Sequence, residues 1–402
     1  MFPMSDRTTV PFGPSRRQDW LLDPSITYLN HGTVGAPPTA VIEEQRRIQA
    51  EIERQPSAFL LRELSAVRVG ADVAAEGRMR RAAAAVARRL GAAPDNLVFV
   101  DNATAGANVV FRSSLIRSGD EIAHLDLAYG GIVRAACFAA RERGATVREI
   151  VTRPPYTPAH VADAVSAQLT DRTRLVVIDH ITAETAFVLP IADIVSRCHS
   201  RGVLVFIDGA HAPGAVPVDI ESTGADFYAA NLHKWAWAPR SAAILCVRPE
   251  HQHALHPPVV SWGLDQGFTT EFDWVGTRDP SPFLTAPFAF ERIESFGADR
   301  VRRYNHALAW RAAHMLSERW HTPFETPEDM IGTMVSVPLP EALGSTPEAA
   351  ARLRDALLFE DHLEVQLHAW RDRLWVRVSA QIYTDESDID RLAIAALRRL
   401  PG

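Results

Sequence analysis

The sequence predicts an α/β protein with a large domain on a mostly parallel seven-stranded sheet, followed by a small α+β C-terminal domain. Three observations carry this reading. From about residue 95, short β-rich runs alternate with helix-like stretches, the rhythm of repeated βαβ units. Several runs are continuously apolar, as strands buried on both faces are. Beyond residue 286 the order becomes helix, strand, helix, strand.

Residues 1–30 read as an N-terminal arm, 31–285 as the large domain and 286–402 as the small one. Residues 38–90 read as helices, with the arginines of 78–90 on a solvated face. The seven strands are expected at 97–100, 121–125, 146–151, 175–179, 203–208, 227–229 and 242–247. Helices at 132–143, 158–168 and 192–201 lie between them. Gly, Pro, Thr and Asp are dense from 262 to 287, which fits a long functional loop. The small domain then holds a helix at 288–319, a strand at 333–337, a helix at 347–360 and a strand at 374–379.

A length of 402 residues allows a large core and more than one domain. A net charge of −7 without a basic block argues against nucleic acid as a partner. No apolar run has membrane-spanning length, so no membrane partner is expected. The arm lacks an apolar signal core. Cys137, Cys198 and Cys246 make neither a disulfide framework nor a CxxC metal motif, which fits a reducing cytoplasm. His251, His253 and His256 lie in a Pro-bounded loop without neighbouring Cys or carboxylate, so no metal is assigned to them.

Lys plus Arg total 42, and Lys234 is the single lysine. A preference for arginine codons explains why lysine is rare, not why this one persists between His233 and Trp235. Guanidinium stays charged, whereas an ε-amine can lose its proton and act as a base or Schiff-base former. Lys234 is therefore read as the carrier of covalent chemistry on a carbonyl, with pyridoxal 5′-phosphate (PLP) as the leading carbonyl.

PLP needs an amine for its aldehyde, an acid at its pyridine nitrogen, a cradle for its phosphate and a platform for its ring. Each has a candidate at a strand end, where open α/β sheets gather their sites. Asp208 closes an apolar run and stands one βα step before Lys234. Asn102, Ala103 and Thr104 open a helix whose N–H groups suit phosphate, although Asn and Thr are also ordinary caps. Tyr129 offers a ring to stack, although a lone Tyr at a strand end is commonly packing. His211 and His233 flank Asp208 and Lys234, with His233 read toward the phosphate and His211 toward the ring hydroxyl or the substrate.

These residues resemble a known family. The motifs YLNHGTVG (28–35), DNAT (101–104), DGAH (208–211), HKW (233–235), WVGTRD (274–279) and RVS (377–379) are similar to those of fold-type I PLP enzymes of the class V aminotransferase family. The likeness is to the branch of isopenicillin N epimerase, which also holds cysteine desulfhydrase-like and ergothioneine-type C–S lyases, and it runs from about residue 12 to the C-terminus. The resemblance implies the type I PLP-dependent transferase fold and a homodimer in which Gly276 and Thr277 reach the partner's cofactor phosphate. It further implies Arg377 on the substrate α-carboxylate, Asn30 and His31 in the substrate pocket, Asn231 at the phosphate and Thr182 near the ring.

The expected reaction begins with Cα deprotonation of an amino acid by Lys234, with His211 as the second catalytic residue. Epimerisation comes first by resemblance. It needs a second acid that is not lysine, drawn from His31, His211, a Tyr or water. β-Elimination at a C–S bond needs only Lys234 and a leaving group. Transamination needs a pocket for two substrates. Persulfide chemistry is set aside because no cysteine stands in a mobile segment. A catalytically silent PLP-fold binding protein is the reading from outside enzymology. Substrate choice is expected from 30–33, 55–65 and 262–280.

Overall fold

The computed structural model describes residues 11–65 and 76–400. The first ten residues of the arm, part of the 38–90 helical region and the last two residues lie outside the described ones. Seven strands form the large sheet: β1 (Leu97–Val100), β2 (Glu121–Leu125), β3 (Thr146–Ile150), β4 (Thr173–Asp179), β5 (Leu204–Asp208), β6 (Phe227–Asn231) and β7 (Ala243–Val247). Their order across the sheet is β1-β7-β6-β5-β4-β2-β3. β7 is antiparallel to both neighbours and every other pairing is parallel. The C-terminal ends of β1, β2, β4, β5 and β6 therefore share one edge.

The period of two in these strands sorts their side chains onto two faces. Leu97, Phe99, Ala123, Val176, Ile178, Val205 and Ile207 join one core cluster. It is covered by α1 (Thr39–Arg54), α2 (Arg78–Arg89), α5 (Pro158–Gln168), α6 (Ile191–His199) and α7 (Ser281–Ser295). Val98, Ile122, Leu175, Val177 and Phe206 join the opposite cluster under α3 (Ala103–Phe111) and α4 (Gly130–Arg143). Both faces are buried, which is why these strands read as continuous apolar runs.

A second sheet is antiparallel, in the order β9-β10-β8, from β8 (Met334–Pro338), β9 (Gln366–Trp370) and β10 (Arg373–Ser379). Val335, Val337, Val376 and Val378 pack with α8 (Ala298–Trp320), α9 (Pro347–Phe359) and α10 (Glu386–Leu397) in a core of their own. The alternate residues, Ser336, Trp375 and Arg377, occupy the other face. The arm docks back on the chain's end: Gly13 N–H donates to Ile382 O, and Trp20 packs edge-on against Trp237 and Tyr383.

Three expectations need correction. The helix placed at 288–319 is two helices, α7 and α8, divided at Phe296-Gly297, where Gly297 takes φ +80°. The 262–287 loop contains a helix, Phe268–Asp273, and the start of α7. Strand β9 and helix α10 were not anticipated. β9 turns into β10 through Arg371 and Asp372, both at positive φ (51° and 55°), so the hairpin carries none of the Gly or Asn that signals such a turn.

Candidate active site

Backbone constraints fix Lys234 before its side chain is considered. Gly35, at φ +67°, lies so close to the loop after β6 that a Cβ there would stand 1.8 Å from the His233 carbonyl oxygen. Gly214, at φ +89°, approaches from another side, where a Cβ would be 2.1 Å from the Trp235 carbonyl oxygen. Only glycine tolerates both the left-handed backbone and the approach.

The shared edge of strand ends encloses a cavity of about 440 Å³. Asn102, Ala103, Thr104, Tyr129, Asp208, His211, Asn231, His233 and Lys234, all expected from sequence, line it together with Thr33, Asp179, Ile181 and Ala183. Lys234 Nζ lies 3.1 Å from His211 Nε2. Desolvation, then the Arg377 charge, lowers the Lys234 pKa to about 8, against the pull of Asp208 and Asp179. His211 is held well below the usual histidine range by burial and then by Lys234. His211 is thus the neutral partner of the amine. Its Nδ1 is buried without a partner among the described residues.

Asp208 accepts from the Ala210 N–H at 2.9 Å. Burial raises its pKa. Asp179 stands directly beside it, as its Cα partner between β4 and β5, and is raised further by burial and then by the Asp208 charge. Two buried carboxylates side by side do not both ionise without a cation between or above them. Asp179 was missed in the sequence, although 175–179 (LVVID) and 204–208 (LVFID) end alike. It also accepts from the N–H groups of Tyr129 and Ala183, tying together the loops after β2 and β4.

The helix-end cradle is more selective than expected. Asn102 Oδ1 caps the Ala105 N–H at 2.8 Å, and Asn231 Oδ1 takes the Ala103 N–H at 2.9 Å. Thr104 is left to offer its amide and hydroxyl. His233 bonds the Ala242 carbonyl and burial lowers its pKa to about 4. Its Nδ1 is also buried without a partner among the described residues. Tyr129 keeps a half-exposed ring, 49% accessible, at the cavity wall.

Arg377, on β10, is buried. It donates to the Ala183 carbonyl, to Thr33 Oγ1 at 2.6 Å and to Asn30 Oδ1 at 3.4 Å. Burial lowers its pKa to about 10, which leaves it charged at neutral pH. Asn30 Nδ2 is held by Glu364 at 2.7 Å. Thr33 was expected only as part of the 30–33 segment, with no role of its own.

Other expected site residues lie elsewhere. His31 is fully buried beneath Lys234, with Nδ1 3.0 Å from Tyr383 Oη and Nε2 3.1 Å from the Lys234 carbonyl. Burial lowers its pKa to about 4. Both ring nitrogens are engaged, so it does not form part of the cavity wall. The Thr182 hydroxyl is used within its own loop, bonding Thr185 Oγ1 at 2.6 Å and accepting from Phe187 N–H at 2.7 Å. Gly276 and Thr277 are not among the residues lining this cavity. The histidines of 251–256 have carboxylates that the sequence reading did not see: His251 bonds Asp226 at 3.0 Å and His256 bonds Glu271 at 2.7 Å. No metal-type cluster of three or more His, Cys, Asp or Glu side chains occurs among the described residues.

The sequence profile described as Aminotransferase class-V matches residues 67–392. The chain belongs to the class-V aminotransferase family. Among its relatives in that family, isopenicillin N epimerase of Streptomyces clavuligerus is 30% identical, over 93% of this chain and 95% of its own. L-cysteine desulfhydrase of Arabidopsis thaliana is 30% identical, over 91% and 86%. A solved structure of a C-DES mutant with glycine covalently linked to its PLP cofactor superposes with a TM-score of 0.77 at 22% identity, covering 96% of this chain and all of that one. Cysteine desulfurase CsdA from Escherichia coli gives a TM-score of 0.76 at 20% identity, covering 98% of this chain and all of that one. At these identities the structural likeness shows the fold, which is that of type I PLP enzymes.

This class-V chain is a PLP-dependent enzyme, and its cavity fits the cofactor. A cationic ring nitrogen beside the Asp179–Asp208 pair would offset the cost of ionising two buried carboxylates. His211 Nδ1 and His233 Nδ1 are unpartnered polar atoms on residues of the wall, and Tyr129 offers a free ring. Among the described residues no helix is long and apolar enough to cross a membrane.

Proposed function

We propose that this class-V enzyme is a C–S lyase that eliminates sulfur from a cysteine-type amino acid with Lys234 as its one base. The carrying observation is that the acid–base pair of the cavity is a single contact, Lys234 Nζ to His211 Nε2 at 3.1 Å. His31, one of the four expected candidates for a second acid, has both nitrogens engaged behind the wall. When bound, PLP withdraws electron density from the Cα of an amino acid joined to its aldehyde carbon.

In this reading, burial and the Arg377 charge keep the Lys234 amine available as a base. Lys234 Nζ takes the Cα proton, and neutral His211, 3.1 Å away, orients Nζ through its hydrogen bond. The Cβ–S bond then breaks with its electron pair on sulfur, and the proton on Nζ is the one available to the leaving thiolate. Asp208 would pair with the pyridine nitrogen, and Thr104, Asn231 and His233 would take the phosphate. Arg377, released from Thr33 and Ala183, would take the substrate carboxylate. Epimerisation remains the second reading: a relative of that activity aligns over nearly the whole chain, and the half-exposed Tyr129 phenol lines the cavity.

We further propose a cytoplasmic homodimer. Gly276 and Thr277 would serve the partner's cavity, and the exposed Val259, Val260 and Trp262 of the preceding loop (59%, 53% and 72% accessible) would be covered by that partner. The activity is tested by incubating the holoenzyme with L-cysteine, L-cystine and S-substituted cysteines and assaying pyruvate and sulfur products. Release of both in equal amounts supports the lyase. A keto acid that retains sulfur, or an inverted amino acid, refutes it.

A further inference from the structure

The three-stranded sheet serves two places with one face. Arg373, Trp375 and Arg377 alternate along β10 and so point to the same side. Arg377 belongs to the site described above. Arg373 and Trp375 line a separate cavity of about 210 Å³. Its wall is aromatic: Tyr156, Phe187, Phe324 and Trp370 complete it. Ring centroids are 5.0 Å apart for both Tyr156–Phe187 and Trp370–Trp375, and 5.6 Å for Tyr156–Trp370. Phe187 closes the segment whose Ile181 and Ala183 line the cofactor cavity.

Size and charge select an occupant. An apolar cavity of about 150 Å³ admits benzene, and pockets for drug-sized ligands begin near 300 Å³. A volume between these fits one substituted ring. Two guanidinium groups, Arg371 and Arg373, face one carboxylate, Glu325, in the wall. Arg371 is already placed, 4.9 Å from the centroids of both Tyr156 and Trp370. Arg373 is not saturated. Its Nη2 reaches Glu341 at 3.2 Å, a carboxylate 83% exposed, and its Nε is buried without a partner among the described residues. A pair with so exposed a carboxylate is weak, so the Arg373 guanidinium can turn to an anionic oxygen entering the cavity.

We propose that this cavity is a ligand site for a small single-ring aromatic acid, with its ring among Trp370, Trp375 and Phe187 and its carboxylate on Arg373. Isothermal titration of the PLP-loaded enzyme with benzoate, and separately with benzylamine, tests it. Benzoate is expected to bind saturably at one site per chain, at least tenfold more tightly than benzylamine. Arg373→Gln is expected to weaken benzoate at least tenfold while leaving the visible cofactor band and basal turnover unchanged, which shows that the variant is folded. Arg377→Ala is expected to leave benzoate binding in place. Loss of binding in Arg377→Ala but not in Arg373→Gln would put the acid in the active site and overturn the proposal. So would tighter binding of benzylamine, or no saturable heat with benzoate.

Discussion

At the residue scale, Lys234 has a lowered pKa because desolvation and Arg377 outweigh the two carboxylates. A neutral amine is the reactive form. The rate at which apoprotein takes up PLP covalently is therefore expected to rise with pH to a midpoint near 8, measured by the growth of the visible band. A midpoint near 10 would show an unperturbed lysine. The same shift bears on stability. Between about 8 and the ordinary 10.5 the unfolded chain binds a proton that the folded chain has released, so apoprotein stability rises with pH across that window. Lys234, Asp208 and the two flanking histidines were legible in sequence because codon preference explains the rarity of lysine but not the persistence of one beside His233 and one βα step after Asp208. Asp179 was not, and Thr33 was legible only as part of the 30–33 segment. Asp179 matters through its register beside Asp208, and Thr33 through a hydrogen bond to a residue 344 positions away.

At the scale of elements, the strands were legible where both faces are buried, because burial on two sides writes an apolar run into the sequence. β9 was not, since its Gln366 and His368 lie on the face turned from the helices, and its turn residues adopt positive φ without glycine. The loop after β6 is held by close approach rather than by its own propensity. Gly35→Ala is therefore expected to be severe. A non-glycine residue at φ +67° costs about 1–3 kcal/mol in backbone strain alone, and the contact with the His233 carbonyl adds to it. Denaturant unfolding of the apoprotein should show a loss of at least that size, together with weaker PLP retention. Wild-type stability in this variant would mean that the loop yields easily and does not position Lys234. The helix-end cradle carries a similar lesson. Small residues after β1 suggested a phosphate site and do line the cavity, but which amides stay free depends on Asn231, which reaches Ala103 from another strand.

For the whole molecule, the cavity sits at the edge of strand ends, and the small sheet reaches it through Arg377, which bonds the wall residues Thr33 and Ala183. We expect a third contribution from a partner subunit through Gly276 and Thr277. Sedimentation of the holoenzyme should give a dimer, and Trp262→Asp should shift it toward monomer with loss of bound PLP. A wild-type monomer with full activity would remove these two residues from the site. The reaction itself turns on the count of bases. Holoenzyme incubated in deuterated water with a slowly eliminated S-substituted cysteine, stopped at partial conversion, gives the decisive measurement: the configuration and deuterium content at Cα of the recovered substrate. A single base on Lys234 predicts deuterium at Cα with retained configuration, whereas recovered substrate of inverted configuration would contradict it.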